Sequence, residues 1–129
     1  MYEVIATTIT IKIIKTGALI RVAARCGAII AGAGAHELDS VTEYATNLGL
    51  LFQITDDLLD VTSTAEDLGK TPGKDARSRK ATYPGILGIE ATRAEIAAVH
   101  GAAREALERV ETPTQLLRAI ADFILDRQA

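Results

Sequence analysis

The chain has a single cysteine, Cys26, no tryptophan, and aromatic residues at only 4% of its 129 positions. One cysteine excludes an intrachain disulfide, and with no secretory pattern it predicts a reducing compartment, most simply the cytoplasm. Scarce aromatics exclude the stacking platforms that bind unpaired bases. A cationic excess is missing too. Fourteen Lys and Arg stand against 17 Asp and Glu, for a net charge of −3, so neither nucleic acid nor an anionic membrane is a general partner. No apolar run predicts a membrane span, because the most apolar stretch, Gly17 to Ala35, carries Arg21 and Arg25. That stretch reads instead as a buried helix. Met1-Tyr2-Glu3-Val4 lacks the basic flank of a signal peptide and the Arg/Ser bias of a transit peptide.

What is present suits one helical domain spanning residues 1–129. Apolar residues make up 48% and charged residues 24%, enough to bury a core. Ser40-x-x-Glu43, Thr92-x-x-Glu95 and Thr112-Pro113-x-Gln115 have the spacing of capping boxes and predict three helix starts. Behind the first, Val41, Tyr44, Ala45, Leu48, Leu51, Phe52, Thr55 and Leu59 recur at helical steps. Ile96, Val99, Ala103, Ala106, Leu107 and Val110 do so behind the second, and Leu116, Leu117, Ile120, Phe123 and Ile124 behind the third. The β-branched run around Ile9, Ile11 and Ile13 locally favours a strand, but a strand there would have no partner. Val4 to Ile30 therefore reads as one long, mostly buried helix that Gly32-Ala33-Gly34 ends. From Thr62 to Pro84 the apolar period disappears, predicting a loop of unusual length. Cys26, Tyr44, Tyr83 and Phe52 read as packing residues, and His36 and His100 as surface or helix-flank residues.

Chemistry concentrates at Asp56-Asp57-Leu58-Leu59-Asp60. Asp56 and Asp60 stand one turn apart, with Cβ atoms roughly 5–6 Å from each other, and Asp57 lies beside them. Three acids near a helix C-terminus repel one another and oppose the macrodipole unless a cation offsets them. Oxygen donors without neighbouring Cys or His favour Mg²⁺, which is commonly completed by substrate phosphate oxygens. Lys70, Lys74, Arg77, Arg79 and Lys80 follow directly, with only Asp75 opposing them. Carboxylates and cations in succession are what a metal-bound diphosphate requires. Gly69-Lys70-Thr71 is not a P-loop, since Thr64 stands where the first glycine belongs and a helix precedes it instead of a strand.

The stretches Lys15-Thr16-Gly17-Ala18-Leu19-Ile20, Gly49 to Asp60, Leu68-Gly69-Lys70, Gly73-Lys74-Asp75 and Lys80-Ala81-Thr82-Tyr83-Pro84 together resemble the trans-type polyprenyl diphosphate synthases. Leu116 to Phe123 resembles that family's C-terminal helix, while residues 1–14 match its pattern poorly. The resemblance implies an all-α antiparallel bundle with a partial isoprenoid synthase fold. It implies Mg²⁺ on Asp56, Asp57 and Asp60, and diphosphate contacts from Lys15 and Lys70. Thr16 and Gln53 would line the substrate site, and Lys74, Asp75 and Lys80 would shape the loop over it. The implied reaction joins an allylic diphosphate to isopentenyl diphosphate. Asp56-Asp57 is the only pair of adjacent aspartates, so the family's first aspartate-rich motif is absent. The chain thus resembles the C-terminal half of a synthase and is expected to be incompetent alone. Implied partners are another copy or a complementary N-terminal half; the alternative role is a non-catalytic helical subunit that docks on a complete synthase.

Overall fold

In a computed structural model that describes residues 2–66 and 82–127, every regular element is a helix. They are α1 (Tyr2–Ile30), α2 (Ala35–Glu66), α3 (Tyr83–Leu87), α4 (Ile89–Glu108) and α5 (Gln115–Asp126). The all-α antiparallel arrangement agrees with the sequence reading. Gly32, with φ of +82°, reverses the chain between α1 and α2. Its N–H donates to Ile29 O, and that of Ala33 to Ala28 O, both at 3.0 Å; this pairing satisfies carbonyls left open at a helix end.

α2 is the hub and packs on all four other helices. Its Tyr44, Leu51, Ile54 and Leu58 meet Ile96, Val99, Ala103 and Leu107 of α4, and Ala121 and Ile124 of α5. Tyr44 Oη donates to Leu117 O at 2.6 Å, tying α5 to α2, and burial pushes its phenol pKa up to about 12. None of the helices is long and apolar enough to cross a membrane, among the described residues.

Several expectations need correction. Helix α2 begins at Ala35, so Ser40 lies inside it and donates to His36 O rather than capping. Thr92, inside α4, likewise donates to the O of Gly88, the residue before that helix, and α5 begins two residues after Pro113 with no side-chain cap at Thr114. The spacing was that of a cap, but hydroxyls can equally bond the carbonyl one turn back. α2 also continues to Glu66, and α3 was not foreseen. In α5 the inward face carries Ala121 and Ile124, whereas Leu116, Ile120 and Phe123 are exposed.

α1 is helical as expected, yet not mostly buried: Leu19 is 73% exposed, Val22 57%, Ile29 57% and Ile30 87%. Cys26 is exposed as well. The reason is geometric, since α2 is the main element packed on α1 and can cover only one side of it.

His100 is a joint between helices rather than a plain surface residue. Its Nε2 lies 2.7 Å from Asp122 Oδ1, and Arg104 Nη1 donates to both oxygens of Asp122 at 3.1 and 3.3 Å. The hydrogen bond from His100, helped by the Arg104 charge, holds the Asp122 carboxyl below its usual value of 3.8. A carboxyl whose folded pKa is depressed contributes stability above its unfolded pKa and loses it as pH falls through the folded pKa. The urea midpoint is therefore expected to drop as pH falls through and below the ordinary carboxyl range, and Asp122→Asn to shrink that drop. Equal acid sensitivity in both proteins would contradict the assignment.

Candidate functional site

The site begins with two glycines remote in sequence. A Cβ built on Gly49 of α2 would lie 2.9 Å from Gly17 Cα and 3.7 Å from Ile20 Cδ1. Only hydrogen at position 49 lets α1 and α2 cross there. The crossing packs Thr16-Gly17, both half-buried, against the start of the Gly49 to Asp60 stretch. At 3.6 residues per turn, Gly49, Gln53, Asp56 and Asp60 fall within an arc of about 60° on α2. The helix face that touches α1 at Gly49 therefore carries Gln53 and two of the three acids toward its C-terminus.

The carboxylates differ in surroundings. The Asp56 side chain is 49% exposed, and its Oδ1 lies 3.9 Å from Arg127 Nη2. Asp60 is exposed. Asp57, by contrast, is 3% exposed: its Oδ1 accepts from Gln53 Nε2 at 3.5 Å and its Oδ2 from the Tyr83 backbone N–H at 3.3 Å. Adjacent residues on a helix diverge by about 100°, which is why Asp57 turns to a different flank. Among the described residues no group of three Asp, Glu, His or Cys converges on a single point. Tyr83 has its phenol pKa raised by burial first, then by the negative charges of Glu95 and Asp57.

Arg127 was missed. It caps α5, places its guanidinium 5.0 Å above the Phe52 ring and donates to Thr55 Oγ1 at 3.3 Å. Its Nε is buried without a hydrogen-bond partner among the described residues. No local pattern marks it, because it meets Asp56 only after α5 has folded back along α2.

Lys15 is exposed and stands about 200° around α1 from Gly17, on the side turned from the α2 crossing. The structure thus sets Gly17, next to Thr16, against Gly49, places Gln53 and Asp56 further along the Gly49 face of α2, sets Asp57 beside Gln53, and leaves Lys15 outside the crossing. Lys70, Lys74, Asp75, Arg77, Arg79 and Lys80 lie outside the described residues. The site residues fit Mg²⁺ in the chemistry of their donors, two accessible carboxylates one turn apart with no soft ligand nearby.

Comparison with known proteins agrees with the motifs. The family model described as polyprenyl synthetase matches residues 5–120, starting ahead of Lys15, where the motif resemblance begins. A dimethylallyltranstransferase of Fischerella ambigua is 44% identical over 113 residues, covering 88% of this chain and 33% of its own length. A geranylgeranyl diphosphate synthase of Cyanophora paradoxa is 44% identical over 117 residues, covering 91% and 39%. Farnesyl diphosphate synthase of Escherichia coli is 42% identical over 117 residues, covering 88% and 39%. The chain therefore spans between a third and two-fifths of the length of these relatives. With a family match across most of its residues, and with both glycines of the helix crossing inside the matched region, the chain belongs to the polyprenyl synthetase family.

Proposed function

We propose that this chain supplies one half of the Mg²⁺–diphosphate site of a trans-prenyltransferase, which condenses an allylic diphosphate with isopentenyl diphosphate. The observation that carries this reading is the glycine crossing, which sets the Thr16-Gly17 stretch against the helix whose same face bears Gln53, Asp56 and Asp60. Asp56 and Asp60 would hold the metal. Bound Mg²⁺ supplies neutralisation of the charge that grows on diphosphate as its bond to the allylic carbon breaks. Thr16 and Gln53 are suited to orient the diphosphate, and Lys70, Lys74 and Lys80 to balance its remaining charge, with Lys15, turned from the crossing, left out of that role. The allylic carbon is then attacked by the double bond of isopentenyl diphosphate, and a proton is lost. A cytoplasmic location belongs to the same reading.

A second reading, a non-catalytic subunit that docks on a complete synthase, is favoured by the exposed apolar side of α1. One assay separates the two. The chain alone is expected to give no condensation of isopentenyl and allylic diphosphates above background. Addition of the part of the E. coli farnesyl diphosphate synthase that lies outside the aligned region is expected to produce turnover. Condensation by the chain alone would refute the half-site; binding to an intact synthase, with no turnover beside the isolated part, would favour the docking subunit.

A further inference from the structure

The three acids of α2 do not share one environment, and the difference assigns them different work. Asp57 is 3% exposed, and both its oxygens face donors of the protein, Gln53 Nε2 at 3.5 Å and Tyr83 N at 3.3 Å. The Asp56 side chain is half-exposed and Asp60 is exposed. Around the Tyr83 amide the chain is closely fitted: Thr82 and Pro84 are buried, and Thr82 Oγ1 accepts from Gly85 N at 3.2 Å. Asp57 stands about nine residues, roughly 13 Å, before the end of α2. The chain leaving α2 at Glu66 thus returns at Thr82 to a point beside the middle of the acidic stretch, not to the helix end.

We propose that Asp57 is a positioning residue rather than a metal ligand. Its carboxylate fixes the returning segment Thr82–Leu87 against α2 and holds the Gln53 amide, so that Gln53 and the neighbouring Asp56 keep one arrangement toward the diphosphate. This inference rests on the Mg²⁺–diphosphate reading above. A buried carboxylate already accepting from a backbone N–H and a side-chain amide loses those bonds if it turns to a metal, leaving a buried donor unsatisfied. Among the described residues Asp56 shows no such commitment, since 3.9 Å from Arg127 is too long for a hydrogen bond.

The test compares Asp57→Asn, Asp57→Ala and Asp56→Asn in the whole chain, with two readouts. The first is amide hydrogen exchange at Tyr83; the second is the affinity for inorganic pyrophosphate with and without Mg²⁺. In Asp57→Asn the amide oxygen can still accept from Tyr83 N while its NH₂ meets a flipped Gln53 carbonyl. That variant is expected to keep Tyr83 protection and Mg²⁺-dependent affinity within about threefold of the original. Asp57→Ala is expected to speed Tyr83 exchange by about tenfold or more and to weaken Mg²⁺-dependent binding. Asp56→Asn should leave exchange unchanged and lose about tenfold or more in binding.

A loss in Asp57→Asn equal to that in Asp56→Asn would make Asp57 a ligand and overturn the proposal. Faster exchange in Asp57→Ala with unaltered pyrophosphate binding would overturn it too, reducing Asp57 to packing. If the original chain shows no Mg²⁺ effect on pyrophosphate at all, the diphosphate reading falls, and Tyr83 exchange alone decides whether Asp57 is the anchor.

Discussion

Gly49→Ala is expected to lower the melting temperature clearly, and Gly49→Leu to abolish a cooperative transition, while Gly17→Ala leaves stability unchanged or improved. The asymmetry follows from the crossing. A methyl at position 49 would press on Gly17 Cα, a backbone atom of the opposing helix, so relief requires moving α1 as a body. Overpacking of this kind costs about 1–3 kcal/mol for one methyl group, or roughly 3–6 °C per kcal/mol in a domain of this size. A Cβ at Gly17 meets nothing within 4 Å, and alanine gains up to about 1 kcal/mol of helix propensity there. Thermal denaturation followed by circular dichroism reads all three. Equal effects of Gly17→Ala and Gly49→Ala would mean that the helices do not cross as described.

Asp56→Ala should remove most of the Mg²⁺ dependence of diphosphate binding while leaving stability nearly untouched. The Asp56–Arg127 pair is long at 3.9 Å, and its side chains are 49% and 27% exposed. Pairs of that kind contribute about 0–1 kcal/mol. A divalent ion shared with a diphosphate would outcompete so weak a contact, which makes Arg127 a suitable counter-ion for Asp56 in the absence of metal. Losing a carboxylate from such a site is expected to cost about tenfold or more in Mg²⁺-dependent affinity, each decade being ~1.4 kcal/mol. Asp60→Ala should act in the same direction. Asp39→Ala, an exposed acid near the start of α2, serves as the control and should change nothing; an equal loss there would show that general negative charge, not this face, governs binding.

The all-helical fold was legible because apolar spacing survives without knowledge of contacts. The stripe from Val41 to Thr55 does pack the core, and Ile96, Val99, Ala103 and Leu107 face it from α4. Helix starts were less legible, since Ser40 and Thr92 have the spacing of caps but bond the carbonyl four residues back. Periodicity marks a helix without saying which side of it is covered. It therefore predicts a buried α1 although α2 shields only one face, and turns Phe123 inward although it is 68% exposed. Within the site, the acids could be found by charge alone, but their divergence could not: the burial of Asp57 depends on Tyr83, 26 positions away. Arg127 is further still, 72 positions from Thr55, and no spacing rule reaches it. The two glycines were visible as letters of family motifs, whereas their role as the contact between α1 and α2 required coordinates.

Calorimetric titration of inorganic pyrophosphate into the 129-residue chain, once with Mg²⁺ and once with a chelator, decides whether the α2 face binds a metal-bound diphosphate. The expected result is binding at least about tenfold tighter with the metal, an increment that Asp56→Ala eliminates. Identical isotherms in the two conditions would contradict the claim that the α2 carboxylates hold a metal-bound diphosphate.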